Sequence, residues 1–237
     1  MVFLGKFTII AHRGASGYEF ENSIAAFKKA IELKADMIET DAQITSDGKI
    51  VLNHDNSIKH TTEQKGKISK LTFEELKNIP LKNGESIPTY EDLLELCKEK
   101  IEINLEIKAR HIEKRVLDIT IQYNMLENVV FSCFSLNTLK KIKELNPKAR
   151  VAYLIIVEGS FMARLNFWMN KIIEVKVESV NPFHNFVSSK LVEEAHKKGI
   201  LIYPWTINDA AKITNLIKDK EIDGVFTDFP DILTKLP

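Results

Sequence analysis

Short runs of β-forming residues alternate with longer amphipathic segments along nearly the whole chain. The strand-like runs are FTIIAH (7–12), DMIETDAQI (36–44), IEINLEIK (101–108), NVVFSCF (128–134), ARVAYLII (149–156), VESVNP (177–182), ILIYPW (200–205) and DGVFTD (223–228). Such alternation is typical of βα units around a parallel sheet. Eight units in 237 residues predict a single-domain (β/α)8 barrel over residues 1–237, because that fold has about 250 residues. A doubly wound open sheet is the alternative, since periodicity does not show whether a sheet closes.

Amphipathic segments with apolar residues at helical spacing fill the intervals between these runs. The clearest are NSIAAFKKAIEL (22–33), YEDLLELCKEK (90–100), SLNTLKKIKEL (135–145), SSKLVEEAHKKG (188–199) and NDAAKITNLIKDK (208–220). A side-chain oxygen at the start of a helix accepts hydrogen bonds from its free N–H groups. The sequence therefore predicts helix N-caps at Asn22, Ser135, Ser188 and Asn208.

The regular spacing is interrupted once, between the second and third of the eight runs. An additional extended run, GKIVLNH (48–54), is followed there by a polar segment rich in glycine and proline. We expect residues 55–88 to form a small insertion over one mouth of the barrel.

Charge and composition exclude several classes of protein. The chain has 33 basic and 33 acidic residues, so no net field would attract it to nucleic acid or to an anionic membrane. Cys97 and Cys133 are the only cysteines and form no Cys-x-x-Cys pair, which predicts buried thiols in a reducing compartment. No apolar run approaches the roughly 18 residues of a membrane span, and Lys6 interrupts the first one. We therefore expect a soluble, cytoplasmic protein without a signal peptide.

Charged side chains are concentrated where the first three of the eight strands end, which is where (β/α)8 barrels form their active sites. Residues two apart in a strand project to the same face. If that face is the barrel interior, one imidazole, one ammonium and three carboxylates converge at one mouth, from His12, Lys108, Glu39, Asp41 and Glu106. Arg13 follows His12 at the end of the first strand.

Three carboxylates in one place would raise one another's pKa unless a cation lay among them. Ligand sets made only of oxygen suit Mg²⁺ or Ca²⁺ better than zinc. We therefore expect a divalent metal ion between Glu39, Asp41 and Glu106. The alternative is that each carboxylate pairs with a base, as Glu106 would with Lys108.

Two histidines are candidates for proton transfer near neutral pH. His54 ends the run GKIVLNH, and an imidazole there would lie opposite His12. A surface or hydrogen-bonded role is expected for the others, His60, His111, His184 and His196.

Two later strands also end in polar or aromatic residues. Trp205 is expected either to stack on a small polyol in a substrate or to cap the barrel core. Asp228 is expected either to belong to the polar strand ends at the mouth or to cap the last helix, which is predicted to begin at Pro230.

These residues lie within short motifs that follow one another along the chain. They are AHRG (11–14), ENS (21–23), ETD (39–41), HD (54–55), PTYEDLLE (88–95), EIK (106–108), WTIN (205–208) and DGVFTDFP (223–230). In this combination the chain resembles the glycerophosphodiester phosphodiesterases. One departure is Phe20, which stands where the family motif usually has proline.

The resemblance implies a barrel enzyme that hydrolyses glycerophosphodiesters, such as glycerophosphocholine or glycerophosphoethanolamine, to glycerol 3-phosphate and an alcohol. It implies that residues 55–88 are the family's small inserted domain, and it suggests the glycerol 2-hydroxyl as nucleophile, through a cyclic phosphate. Matched position by position, the implied roles are metal ligands at Glu39, Asp41 and Glu106, acid and base at His12 and His54, and phosphate-binding cations at Arg13 and Lys108.

One apolar segment has no counterpart in these motifs. FMARLNFWM (161–169) follows the fifth strand of the eight and is either a helix packed on the barrel or an exposed lip that contacts an acyl chain. A lip would support a lysophospholipase D. A barrel that only binds phosphate ligands is a further alternative, and the complete set of candidate catalytic residues argues against it.

Overall fold

The computed structural model describes residues 7–156 and 165–235, and eight parallel strands in it form a barrel. They are β1 (Thr8–Ala11), β2 (Met37–Ile44), β4 (Glu102–Ile107), β5 (Val129–Cys133), β6 (Arg150–Ile155), β7 (Ser179–Pro182), β8 (Leu201–Ile202) and β9 (Gly224–Thr227). A ninth strand, β3 (Ile50–Leu52), pairs antiparallel with β2.

The strand order is β8-β7-β6-β5-β4-β2-β1-β9. Backbone hydrogen bonds join the two ends of this order, from Asp223 N to Ile202 O at 3.1 Å and from Phe226 N to Pro204 O at 3.0 Å. An open sheet would leave these edges apart. The fold is therefore the predicted (β/α)8 TIM barrel.

Helices of the described residues cover the outside of the barrel and the insertion. They are α1 (Ile24–Glu32), α2 (Phe73–Lys77), α3 (Tyr90–Cys97), α4 (Glu113–Gln122), α5 (Leu136–Leu145), α6 (Leu165–Val175), α7 (Ser189–His196) and α8 (Ala210–Lys220). None of these described helices has the length and apolar character needed to cross a membrane.

The helix N-caps agree with the sequence in two cases and differ in two. Ser135 and Ser188 cap α5 and α7 as predicted. The side chain of each accepts a hydrogen bond from the backbone N–H three residues later in the chain. The caps predicted at Asn22 and Asn208 are wrong, because the next residues, Ser23 and Asp209, accept those bonds instead. The two asparagine side chains are thereby free to bond elsewhere.

The barrel interior contains an apolar cluster that supports the polar residues above it. Ile10, Met37, Val130 and Phe226 are buried together in this cluster. Met37 begins β2, and residues two and four positions later in that strand project to the same side. The interior face of β2 therefore changes from apolar to acidic toward the C-terminal mouth.

Residues 55–88 connect β3 to α3 and pack on a small apolar cluster of their own. It contains Val51, Ile58, Ile68, Leu76, Leu81 and Ile87. Phe20 is partly buried against this cluster, so the residue that departs from the family motif contributes to packing of the insertion. The antiparallel β3 holds the start of the segment beside β2, at the barrel mouth.

The segment 161–169 is only partly within the described residues, since 161–164 lie outside them. In the remainder, Leu165 and Met169 are buried in the main core and Trp168 packs partly against it. Phe167 is 54% exposed. The first turn of α6 thus packs on the barrel as a core helix would, with one aromatic ring left in solvent.

Candidate active site

Three buried carboxylates meet at the mouth of the barrel. Glu39 and Asp41 lie two apart in β2, and Asp41 is in register with Glu106 of β4. Each offers an oxygen, and these oxygens all lie within 4.8 Å of one another. The strands thus assemble the predicted acidic triad.

Burial and mutual repulsion shift the pKa values of this triad in different directions. Burial, with the charge of Asp41 added, raises the pKa of Glu39 and of Glu106 to about 7. Burial also acts to raise the pKa of Asp41, but Lys108 and Arg13 outweigh it and hold that pKa below its usual value. Full ionisation of all three carboxylates at neutral pH therefore requires additional positive charge.

The donor set fits a hard divalent cation. Asp41 Oδ1 is buried and accepts no hydrogen bond from residues 7–156 or 165–235, although Lys108 Nζ lies 3.3 Å away. Carboxylate oxygens are the ligands that Mg²⁺ and Ca²⁺ prefer. The triad can accordingly bind a metal ion through an oxygen atom that has spare acceptor capacity.

Asn22 fixes one side of the triad, a role that the sequence analysis missed. Its backbone is left-handed, with φ 52°. Its Nδ2 donates to Asp41 Oδ2 at 2.9 Å, and its Oδ1 accepts from Thr40 at 2.6 Å. The sequence signal for this role was the place of Asn22 in the ENS motif (21–23).

Two cations flank the carboxylates. Lys108 Nζ lies 2.7 Å from Glu106 Oε1, and Arg13 Nε lies 3.5 Å from Asp41 Oδ2. The left-handed backbone of Arg13, φ 54°, directs its N–H to Glu39 Oε2 at 2.9 Å. Lys108 therefore pairs with Glu106, as expected if each carboxylate had a basic partner in place of a metal ion. Asp41 lies against the guanidinium group of Arg13, and Glu39 accepts a hydrogen bond from its backbone.

His12 is held by a carboxylate from the opposite end of the sequence. Its Nδ1 lies 2.7 Å from Asp228 Oδ1, which also accepts from Ser16 Oγ at 2.9 Å, while Asp228 Oδ2 accepts from Asn208 Nδ2. The carboxylate of Asp228 thus bonds to these side chains and not, as the cap alternative required, to the start of the last helix. Burial lowers the pKa of His12, but the hydrogen bond to Asp228 and the negative charges of Glu39 and Asp228 together outweigh it and raise that pKa.

His54 approaches the triad from the insertion side. Its Nδ1 lies 3.0 Å from Asp55 Oδ1, and its backbone oxygen accepts from Gln43 Nε2 at 3.0 Å. Burial lowers the pKa of its imidazole. Gln43 belongs to β2, so the strand that carries two of the carboxylates also anchors His54.

A cavity of about 130 Å³, which we call the mouth cavity, unites these groups. Trp205 forms part of its wall, and its Nε1 donates to Asn181 O at 2.7 Å. The structure brings every predicted site residue to this cavity, which is lined by His12, Arg13, Glu39, Asp41, His54, Glu106, Lys108, Ser132, Phe134, Leu154, Trp205 and Phe226.

Comparison with known proteins agrees with this geometry. Residues 12–232 match the glycerophosphoryl diester phosphodiesterase family. The chain belongs to this family. It is 34% identical to the glycerophosphodiester phosphodiesterase of Caldanaerobacter subterraneus over 98% of both chains. The crystal structure of the glycerophosphodiester phosphodiesterase from Thermotoga maritima superposes with a TM-score of 0.84 at 32% identity, covering 98% of this chain and 99% of that one.

The chain is therefore an enzyme of the glycerophosphodiester phosphodiesterase type, and the alternative of a barrel that only binds phosphate ligands is not supported. A more distant relative is the human lysophospholipase D GDPD1, which is 25% identical over 96% of this chain and 84% of its own length.

The other histidines of the phosphodiesterase lie outside the wall of the mouth cavity. His184 Nδ1 accepts from Lys212 Nζ at 2.7 Å, and His196 Nε2 lies 2.9 Å from Asp223 Oδ2. His60 and His111 are exposed. The surface or hydrogen-bonded roles predicted for these four residues are confirmed.

Removing one of the buried carboxylates should stabilise the metal-free enzyme near neutral pH. The pKa of Glu39 is about 7 in the folded state against 4.5 as its ordinary value. The folded state therefore binds more protons between these values, and stability falls as pH rises through them. With chelator present, Glu39→Gln should raise the free energy of unfolding at pH 7.5 by roughly 1–3 kcal/mol, and by less at pH 5.

Urea denaturation at the two pH values measures this difference. Glu32→Gln is the control, because Glu32 is exposed on α1 and its loss should change stability little. A Glu39→Gln variant that is less stable than wild type at pH 7.5 would contradict the argument.

Proposed function

We propose that this enzyme hydrolyses glycerophosphodiesters, such as glycerophosphocholine and glycerophosphoethanolamine, to glycerol 3-phosphate and an alcohol with a divalent metal ion and two histidines. One observation carries the proposal. The acidic triad, both cations and both candidate histidines line the same cavity of about 130 Å³.

Glu39, Asp41 and Glu106 would hold the metal ion, Mg²⁺ or Ca²⁺. When bound, such an ion supplies positive charge that stabilises the developing charge of a phosphoryl group. Arg13 and Lys108 bind the non-bridging phosphate oxygens, since both cations lie at the edge of the triad. They orient the phosphorus relative to the histidines.

His12 is the proton donor to the departing alkoxide in this proposal, and His54 is the base. Asp228 accepts the hydrogen bond of His12 Nδ1, which leaves Nε2 as the nitrogen that exchanges a proton with substrate and favours the protonated ring. His54 removes the proton from the attacking hydroxyl. In the mechanism suggested by the family resemblance, that hydroxyl is the glycerol 2-hydroxyl, and water then opens the cyclic phosphate.

The proposal extends to the organisation and location of the chain. We propose that residues 1–237 form one domain in which 55–88 are an insertion, because β3 links that segment directly to a barrel strand. We propose a cytoplasmic location, in glycerol and lipid metabolism. Buried, unpaired Cys97 and Cys133 support a reducing compartment.

Removal of metal should abolish hydrolysis of glycerophosphocholine, and added Mg²⁺ or Ca²⁺ should restore it. Glu106→Gln should weaken metal binding, measured by calorimetric titration, because it removes one of three charged ligands. Glu102→Gln is a matched control on the same strand, since Glu102 pairs with Arg150 at the other end of β4. Full activity in excess chelator would refute metal dependence.

Asp228→Asn should lower kcat by roughly 10-fold or more, which is less than the roughly 10²–10⁴-fold contribution of a general acid itself, because His12 remains in place. Loss of the negative partner lowers the pKa of His12, so the alkaline limb of the pH–rate profile should move to lower pH. Metal affinity should not change, and Asp228→Glu should restore part of the rate.

Asp223→Asn is the matched control, because Asp223 precedes the opposite end of β9 and also pairs with a histidine, through Nε2 of His196 at 2.9 Å. An unchanged profile in Asp228→Asn, or equal losses in both variants, would show that Asp228 has only a structural role.

Lysophospholipase D is a second candidate function, favoured by exposed apolar residues around the mouth. Phe134 follows β5, Ile156 follows β6 and Phe167 lies in the first turn of α6, with exposures of 43%, 58% and 54%. These side chains would contact the acyl chain of a lysophospholipid.

Phe167→Ala should then lower kcat/KM for lysophosphatidylcholine by roughly 10-fold, the scale of losing one buried aromatic contact. Hydrolysis of glycerophosphocholine should be unaffected, and the melting temperature should change little because the ring is exposed. Ile173→Ala, exposed farther along the same helix, is the control. Equal effects on both substrates would remove the support for this function.

A further inference from the structure

A second, larger space adjoins the mouth cavity. It lies between the segments that follow β4 and β5 and has a volume of about 670 Å³. Glu106, Lys108 and Phe134 line both spaces, so the two lie side by side and share these residues as their boundary. Small-molecule sites commonly measure about 300–1,000 Å³. The mouth cavity alone is below this range, whereas the two spaces together are within it.

This space, which we call the Arg110 groove, is positively charged. Arg110 lines it, is exposed, and forms no ion pair with residues 7–156 or 165–235. The groove's own carboxylate, Glu113, is buried and already paired with Lys141 Nζ at 3.1 Å. Glu106, at the boundary, is paired with Lys108. The groove therefore offers unpaired positive charge and no unpaired carboxylate.

Neutral hydrogen-bonding groups complete the wall of the groove. Ser135, Asn137 and Thr138 line it at the first turn of α5, so hydroxyl and amide groups lie beside the charged residues. The partial positive charge at the start of a helix has the same sign as the guanidinium group of Arg110. A ligand with hydroxyl or anionic groups would be complementary to this wall.

We propose that the Arg110 groove binds the alcohol arm of the substrate and selects hydroxylated or anionic arms over a quaternary ammonium. The inference rests on the proposed function, which places the phosphate between Arg13 and Lys108. From there one arm occupies the mouth cavity, and the other passes Lys108 into the groove. A guanidinium group binds phosphate or carboxylate through two parallel hydrogen bonds. A quaternary ammonium has no hydrogen-bond donor and would meet only like charge.

Three substrates at saturating Mg²⁺ test this selection. They are glycerophosphoglycerol, the same compound with a terminal phosphate monoester on one glycerol, and glycerophosphocholine. We expect wild type to show the highest kcat/KM for the phosphorylated compound and the lowest for glycerophosphocholine. A ratio of these two values at or below one would overturn the proposal.

Charge reversal at Arg110 tests whether the groove causes this difference between the substrates. Arg110→Glu should lower the ratio roughly 10-fold, the scale of losing one charge-assisted hydrogen bond, because it weakens binding of the phosphorylated arm and removes the like charge that the quaternary ammonium meets. Lys140→Glu changes the net charge equally but lies on the exposed side of α5, outside the groove lining, and should leave the ratio unchanged.

The outcomes separate this inference from the proposed function. Suppose that the enzyme hydrolyses glycerophosphocholine, but that Arg110→Glu leaves the ratio of kcat/KM values unchanged or that Arg110→Glu and Lys140→Glu change it equally. This result would overturn the groove inference alone. Failure to hydrolyse any of the three substrates would overturn the proposed function and this inference with it.

Discussion

Repulsion between three buried carboxylates is the constraint on which the mouth of this barrel depends. Their oxygens lie within 4.8 Å of one another, and strands paired on both sides prevent them from moving apart. Lys108 and Arg13 offset part of the charge, yet the pKa values of Glu39 and Glu106 still rise to about 7. The folded barrel thus keeps an unfavourable arrangement that a divalent cation would relieve.

The remaining side chains of the site can be understood as supports for that arrangement. Asn22 fixes Asp41, and the backbone N–H of Arg13 fixes Glu39. Both residues adopt left-handed backbone conformations, which are uncommon outside glycine and cost free energy unless surrounding contacts hold them. Gly14 has φ 81°, and a Cβ there would lie 2.7 Å from the backbone of Ala26, so α1 packs directly against this turn. The helix and the acidic strand are positioned together.

Sequence patterns predicted the barrel and singled out eight residues that the structure brings to the mouth cavity, because strand periodicity and the motifs each report on the C-terminal ends of strands. The predicted N-caps were wrong where a residue next to the start of a helix could either cap that helix or bond to a residue of the site. Asn22 and Asn208 have good capping side chains, but Ser23 and Asp209 take the caps, and the asparagines bond Asp41 and Asp228 instead. The link between His12 and Asp228 joins residues 216 positions apart, and no local pattern encodes such a contact.

The two ends of β4 show how the same residue type serves stability at one end and the candidate site at the other. Glu102, at the N-terminal end, lies 2.8 Å from Arg150, which also binds Glu178 through two nitrogens. Each carboxylate there has a guanidinium partner at the rim of the barrel. Glu106, at the C-terminal end, shares Lys108 with Asp41 and lies deeper. A barrel selected only for stability would have no reason to bury excess negative charge at one end, so this excess itself indicates where a cation would bind.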